Sequence, residues 1–575
     1  MSKHVLIVGA VALGPKVASR LMRCAPDTKV TILDRDRLIS YGGCGIPYFV
    51  GGDVSEISEL RKTMYHMERN EAFFQNVKHF DVLTGKEVVT INRSQKQVTY
   101  RDVDSGHEEQ LSYDQLVLAT GTTPVLPPLP GTELPGVFTV SNLHDAQGIK
   151  NKLVQGDIES AVVVGGGAIG LEMAEAFADL WGVETTVVEM MDHVLPAALG
   201  PDMAGLVHKS LEDNDVRIMC QTKVTEVIGD QDNGVQGVRT SQGEIPCQAV
   251  VFSVGVRPNS KLAQEAGLSI GPFGGIAVNA RLRTSDPDIY AGGDCIEQQH
   301  LISGENLIMP LGSLANRQGR IIANNIAGDN DQFPGVIGNF CVKVFDIGVA
   351  RAGLTVAQAQ QAGFDPEYAL VVQPDRAHFY PTANIMILKL IAERTTRQVL
   401  GIEALGPNGD AVKARVDAVA ALLPHRVGVD EISNLEVCYS PPYSLAMDIV
   451  NVGGNVLQNI LDGYNRPIFP QELMKVFPHQ EGVVLDVRAP DQAKPGQDKY
   501  GQRWLNIPLE QIPDRISEIP PDKPVYVYCN TGTRSYEVQR YLNAHGLDQA
   551  RGVQGSYAVL KDLDPDFDPR YDGEI

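Results

Sequence analysis

Two cysteines in this chain stand where a sulfur atom could do chemistry. Cys44 lies between Gly43 and Gly45 and is followed by Ile46-Pro47-Tyr48. Flanking glycines and a nearby proline predict a tight, exposed turn, whereas a free cysteine more commonly serves as a small core residue. The next cysteine is Cys220, so Cys44 cannot close a local disulfide. It must cycle through a mixed disulfide, a persulfide or a sulfenic acid, with the substrate carrying the second sulfur. Cys529 ends the apolar run Val525-Tyr526-Val527-Tyr528 and opens the loop Asn530-Thr531-Gly532-Thr533-Arg534-Ser535 before a helical stretch. That placement sets its sulfur among backbone amides at the positive end of a helix, which favours a thiolate able to carry sulfane sulfur.

A second chemistry is written in two glycine turns. Val162-Val163-Val164 runs into Gly165, Gly167 and Gly170, then a helix through Glu172 to Leu180, then a strand Thr185 to Val188 ending at Glu189. Gly165 permits the tight turn, Gly167 lets backbone amides approach a pyrophosphate, and Gly170 lets the helix pack on the strand. Glu189 would accept hydrogen bonds from a ribose and repel a 2′-phosphate, and Met190 and Met191 after it supply no arginine, so NADH is expected over NADPH. The earlier run Val5-Leu6-Ile7-Val8 leads to Gly9 and Gly14, a helical segment through Ala18 to Met22, and a strand Val30 to Leu33 ending at Asp34. Val11 occupies its middle glycine position; judged alone, this turn could equally be a plain packing turn.

The elements that must position these groups follow from the repetition. Two strand–turn–helix–strand units in one chain, the second inserted into the first, would set two dinucleotide sites face to face. At 575 residues the chain is too long for one core. We expect an α/β protein with two nested Rossmann-like domains, an α+β domain without a nucleotide turn and a C-terminal α/β domain. The expected boundaries are 1–115 with 250–330 for the first Rossmann-like domain, 116–249 for the second, which takes NAD, 335–455 for the α+β domain and 469–575 for the last, with the Pro467 to Pro470 region as linker. A net charge of -22, from 49 basic and 71 acidic residues, argues against nucleic acid and anionic lipid partners. The apolar run at the start is too short for a signal segment, no stretch approaches a membrane span, and a cytoplasmic protein is expected. Eight thinly spread cysteines, with no CxxC pair and no histidine cluster, predict neither a disulfide scaffold nor a metal site.

Ser40-Tyr41-Gly42-Gly43-Cys44-Gly45-Ile46-Pro47-Tyr48, together with Tyr113 to Gly121 (YDQLVLATG) and Thr284 to Asp294 (TSDPDIYAGGD), resembles the pyridine nucleotide-disulfide oxidoreductases, in particular their coenzyme A-disulfide reductase branch. The resemblance covers Met1 to about Asn455. It implies an FAD site involving Gly9, Gly14, Asp34, Thr120, Gly121 and Asp294, the last facing the ribityl chain, and a single catalytic Cys44. It also implies contacts from Arg20, Arg23 and Ser40 to coenzyme A; by residue type alone, the two arginines one turn apart could equally form a solvated helix face. Gly43 stands where that branch usually has asparagine, which removes one side-chain contact to coenzyme A. His378-Phe379-Tyr380-Pro381 and Tyr439-Ser440-Pro441-Pro442-Tyr443 resemble segments that lend Tyr380 and Tyr439 to the partner subunit's site, implying a homodimer. By residue type alone each tyrosine could be a packing residue. Pro310 to Arg320 resembles the segment leading into the interface domain and is given no catalytic role. Val483 to Arg488 and Val525 to Ser535 resemble a single rhodanese domain, and a six-residue loop, Asn530 to Ser535, suits sulfur better than a phosphate.

The expected function is an NADH-dependent, FAD-containing reductase of persulfide, polysulfide or coenzyme A disulfide, with sulfane-sulfur transfer at Cys529. One alternative is an NADH oxidase or peroxidase working through a Cys44 sulfenic acid; the related peroxidases have histidine in the first glycine turn, where this chain has Ala12. A third is a sulfur-relay protein whose flavin half is a redox sensor.

Overall fold

The computed structural model describes residues 3–564 and 566–568; the ends of the outermost expected domains, 1–2 and 569–575, lie outside the described residues. The chain divides into two compact units, one running to Met190 and resuming over Thr222–Val336, the other made of Met191–Gln221 and the chain from Ile337 onward.

In the first unit the apolar runs become parallel strands. One sheet has the order Ile289–Ala291, Gln115–Leu118, His4–Val8, Lys29–Leu33, Asp81–Leu83, every neighbouring pair parallel. Strands covered on both faces read as unbroken aliphatic runs, and Val5, Leu6 and Ile7 are fully buried. A second parallel set follows Glu184–Val188, Ser160–Val164, Ala249–Phe252 and Val137–Thr139. The chain leaves the first sheet after Gln115–Leu118 and re-enters it at Ile289–Ala291. The outgoing strand Thr122–Pro124 pairs antiparallel with the returning Val256–Pro258. The second Rossmann-like unit is therefore inserted into the first, as the repeated pattern implied.

Both glycine turns are built alike. Gly9 has φ +111° and Gly165 φ +106°, left-handed positions that glycine adopts without strain. A Cβ on Gly14 would lie 2.0 Å from the Gly9 carbonyl oxygen, and one on Gly170 2.0 Å from that of Gly165. Only glycine lets the helices Leu13–Cys24 and Ala168–Ala178 start so close to the preceding strand.

The second unit carries an antiparallel sheet in the order Phe340–Val344, Ile347–Gly353, Val399–Gly406, Ile385–Glu393, Pro366–Pro374. The segment Met191–Gln221 docks on it through charge as well as apolar surface. Lys389 Nζ donates to both carboxylate oxygens of Asp202, at 2.7 and 2.9 Å, and the Gly200 N–H donates to Glu403 at 3.0 Å. Groups this buried persist only because they are paired.

A parallel sheet follows, ordered Pro467–Ile468, Ala550–Val553, Val525–Tyr528, Val483–Asp486, Trp504–Asn506. The Pro467 to Pro470 region is thus no free linker. Pro467 begins an edge strand, where its missing N–H goes unneeded, and Pro470 opens the helix Pro470–Val476. This domain also covers the outer edge of the antiparallel sheet. Phe469 stacks on Tyr368 with ring centres 3.9 Å apart, and the Leu370 N–H donates to Gln554 Oε1 at 3.0 Å. Among the described residues, no helix is long and apolar enough to cross a membrane.

Candidate active site

Cys44 occupies a single helical turn, Gly43–Gly45, and is exposed, as its glycines predicted. The helix Ile46–Gly51 follows with Pro47 in its first turn. Two carboxylates from distant sequence act on the sulfur. Glu172 comes from the helix after the second glycine turn, and Asp294 from the turn Gly293–Cys295. Partial desolvation, then these two negative charges, push the Cys44 thiol up from its ordinary value. Burial raises Glu172 to about 7, against the Tyr48 hydroxyl that donates to its Oε1 at 3.3 Å, and burial raises Asp294 to about 6. At neutral pH both acids titrate close to the working range of a thiol site. Tyr48 and Glu172 also line a cleft of about 270 Å³ with Pro47, Gly51, Gly52 and Ala176.

The expected flavin residues form one cradle around the first sheet. Asp34 accepts the Ala10 N–H at 2.6 Å and the Asp36 N–H at 2.8 Å, which fixes the glycine turn against the second strand. Thr120 and Gly121 are tied to Asn259. The Thr120 hydroxyl donates to the Asn259 carbonyl at 2.7 Å, the Asn259 side-chain amide returns a bond to the Thr120 carbonyl at 2.8 Å, and its backbone N–H reaches Gly121 at 2.9 Å. The Gly293 N–H donates to the buried Gln318 Oε1 at 2.7 Å, which sets the direction of Asp294. Among the described residues the Asp294 carboxylate has no hydrogen-bond partner, so it is open to a ligand's hydroxyl donors. A glycine turn free of side chains together with an unpaired, half-buried acid fits a flavin nucleotide.

The second glycine turn repeats the device. The Glu189 carboxylate accepts the Gly166 N–H at 2.7 Å, as Asp34 accepts that of Ala10. A Cβ on Gly167 would meet nothing within 4 Å, leaving that backbone open to an approaching phosphate. Ser253 donates to the Gly165 carbonyl at 2.9 Å, a support that no local motif announces.

The remaining expected residues scatter. Arg20 Nε donates to Asn324 at 2.7 Å, Arg23 is exposed, and Ser40 is buried beneath the first glycine turn with its N–H on the Ala10 carbonyl. Tyr380 and Tyr439 belong to the second unit. Their segments are joined where the Ala377 N–H donates to the Pro441 carbonyl at 3.1 Å. Around them Phe379, Tyr439, Tyr443 and Met447 are 69%, 55%, 73% and 53% exposed.

Cys529 is fully buried at the end of the strand Val525–Tyr528. The Gly532 N–H donates to its sulfur at 3.1 Å, from the residue that caps the helix Thr533–Ala544 with φ +105°. Thr531, Thr533, Arg534 and the buried Ser535 complete the loop, and the Asn530 Oδ1 is a buried acceptor with no partner. Beside this loop Arg488 bridges Asp486 and Asp568 at 2.7 and 2.9 Å, all fully buried, and Tyr528 donates to Asp568 at 2.9 Å.

Sequence reasoning missed Glu172, Asn259, Gln318 and Ser556, whose hydroxyl accepts the Cys529 N–H at 3.3 Å. Each acts across the fold on a backbone or sulfur atom; Glu172 and Gln318 lay inside segments already singled out, Gln318 in the stretch Pro310 to Arg320 that was given no role.

Residues 3–319 match the family described as pyridine nucleotide-disulphide oxidoreductase, residues 340–449 its dimerisation domain, and residues 469–562 a rhodanese-like domain. The structure of an NAD-dependent persulfide reductase from A. fulgidus superposes with a TM-score of 0.92 at 39% identity, over 97% of this chain and 99% of that one. A CoA-dependent NAD(P)H sulfur oxidoreductase of Pyrococcus abyssi is 31% identical over 80% of this chain and 99% of its own length. An NADH oxidase of Methanocaldococcus jannaschii is 33% identical over 76% of this chain and 95% of its own.

Proposed function

Since the chain belongs to the pyridine nucleotide-disulphide oxidoreductase family and is an NAD(P)H-dependent oxidoreductase, we propose that it uses NADH to reduce sulfur–sulfur bonds at Cys44. The substrates are a persulfide, a polysulfide or coenzyme A disulfide. The observation that carries this reading is one exposed thiol, flanked by Glu172 and Asp294, in a chain whose last domain holds a second thiol in a sulfur-sized loop.

Gly9, Gly14, Asp34, Thr120, Gly121 and Asp294 would hold FAD, and Gly165, Gly167, Gly170 and Glu189 would hold NADH. Bound FAD supplies the two-electron relay between nicotinamide and sulfur. Cys44, as thiolate, attacks one sulfur of the substrate; the S–S bond breaks, the other sulfur leaves as thiol or sulfide, and a mixed disulfide on Cys44 remains for reduction. Glu172, near neutrality in its titration, is placed to hold or release a proton beside that sulfur. Arg20, Arg23 and Ser40 are assigned to coenzyme A, and Tyr380 and Tyr439 to the partner subunit's site in a homodimer. Cys529 carries sulfane sulfur to or from the reductive site. A cytoplasmic setting, where thiols stay reduced, suits a reaction that needs Cys44 and Cys529 as thiols.

Cys44→Ser should abolish NADH-dependent reduction of every sulfur substrate while FAD stays bound. Cys529→Ser should impair sulfane-sulfur substrates more than coenzyme A disulfide. Full activity of Cys44→Ser in anaerobic stopped-flow assays would end the proposal. The similarity to an NADH oxidase favours a second reading, oxygen or peroxide reduction through a Cys44 sulfenic acid. Peroxide turnover faster than persulfide turnover would establish it.

A further inference from the structure

The Cys529 loop is supported from outside its own helix by the short turn Gln554-Gly555 after the strand Ala550–Val553 and by Ser556, which opens the helix Ser556–Leu563. Ser556 is fully buried and has φ +43°, a left-handed conformation that costs a non-glycine residue on the order of 1 kcal/mol. Glycine would adopt it freely, so the serine is explained by what its hydroxyl does. That hydroxyl donates to the Val553 carbonyl at 2.8 Å, accepts the Cys529 N–H at 3.3 Å and lies 3.2 Å from the Ser535 hydroxyl. The backbone beyond it adds two more bonds, Tyr557 N–H to the Cys529 carbonyl at 3.1 Å and Ala558 N–H to that of Asn530 at 2.9 Å.

The other end of the turn grips a different sheet. Gln554 is buried, and its Oε1 accepts the outward N–H of Leu370 on the edge strand Pro366–Pro374. Its own N–H donates to Ile468 at 3.0 Å, next to Phe469, whose ring covers Tyr368 on that same edge strand. One short turn therefore joins the interface sheet to the backbone of the sulfur-bearing cysteine.

We propose that Gln554 and Ser556 are positioning residues for sulfur transfer at Cys529, the turn between them making the shape of the carrier loop depend on docking against the interface sheet. This rests on the reading of Cys529 as a sulfur carrier. The step concerned is balanced without any outside oxidant. The Cys529 thiolate attacks the outer sulfur of thiosulfate, the S–S bond breaks with its electron pair leaving on sulfite, and a cysteine persulfide anion results. Cyanide then takes the terminal sulfur as thiocyanate and restores the thiolate.

The test uses full-length FAD-loaded enzyme and follows thiosulfate-to-cyanide transfer and NADH-dependent coenzyme A disulfide reduction in the same preparations. Gln554→Met and Ser556→Gly should each lower kcat for transfer about 10- to 100-fold, the scale of a misplaced reacting group, with KM for thiosulfate and the reductase rate unchanged. Ser556→Gly removes the hydroxyl while relieving the backbone, and an unchanged KM for thiosulfate separates a misplaced sulfur from a domain that has not folded. Parental kcat in both variants, or a parallel fall of reductase activity, overturns the proposal. Parental transfer by Cys529→Ser instead removes the carrier reading itself, and with it the step these residues position.

Discussion

At the scale of single residues, the charge around Cys44 is the finding with the most consequence. A thiol meant to attack sulfur is flanked by two acids rather than by a base, and burial keeps Glu172 protonated up to about 7. Unfolded, the same carboxyl titrates near 4.5. The folded protein thus holds a proton that the unfolded chain has lost between those values. Stability owed to this group is complete below pH 4.5, falls as pH rises toward 7, and is level beyond. Glu172→Gln should flatten that slope, a difference of at most about 3 kcal/mol across the window. Denaturant unfolding of the FAD-loaded enzyme at pH 5 and pH 8 reads it directly, and identical pH dependence in parent and variant would remove Glu172 as the cause. Asp294 offers a separate check through its open carboxylate. Asp294→Ala should purify with markedly less flavin, measured by the ratio of visible to ultraviolet absorbance, and a fully loaded variant would contradict the cradle.

At the scale of elements, the two strand-to-helix turns were legible because glycine leaves a local trace: a strand, a spacing and an acid all fall within a few dozen residues. The structure adds why the spacing is rigid. Gly170→Ala would drive a methyl to within 2.0 Å of the Gly165 carbonyl, so the helix must shift. NADH should then bind far more weakly while flavin content, which depends on the other turn, holds. A parental KM for NADH would show that the turn tolerates the shift. What could not be read were supports that cross the fold. Asn259 sits 139 residues from Thr120, Gln318 bonds a backbone N–H that no motif ties to it, and polar residues of these types are common on any surface. Ser556 hid for a different reason, since a serine in a glycine-like conformation looks ordinary in a sequence. The Pro467 to Pro470 region misled because proline marks both linkers and edge strands or helix starts; pairing of Pro467 with Gly552 decided between them.

At the scale of the whole molecule, the exposed group Phe379, Tyr439, Tyr443 and Met447 is the kind of apolar surface that soluble proteins reserve for partners. It lies in the region assigned to dimerisation, and a second copy of the chain is the occupant proposed here. Phe379→Asp with Tyr443→Arg should sediment as a monomer, lose disulfide reduction and keep thiosulfate-to-cyanide transfer. A variant that stays dimeric and active would place the interface elsewhere. The nested nucleotide domains were legible from the repeats and the two later domains from the family resemblance, whereas the docking of the last domain on the interface sheet was not, because it rests on single contacts such as Tyr368 with Phe469.

Those contacts bear on any attempt to separate the two activities by trimming. A fragment ending at Leu461 would lose Phe469 and Gln554 together. It would bare one flank of a nine-residue ribbon, Pro366–Pro374, and uncover the tyrosine that the ribbon carries. Naked peptide groups in such a row are a template for molecules to clump strand against strand. A workable stand-alone reductase would need a charged or proline-bearing substitute along that ribbon, not merely an earlier stop codon.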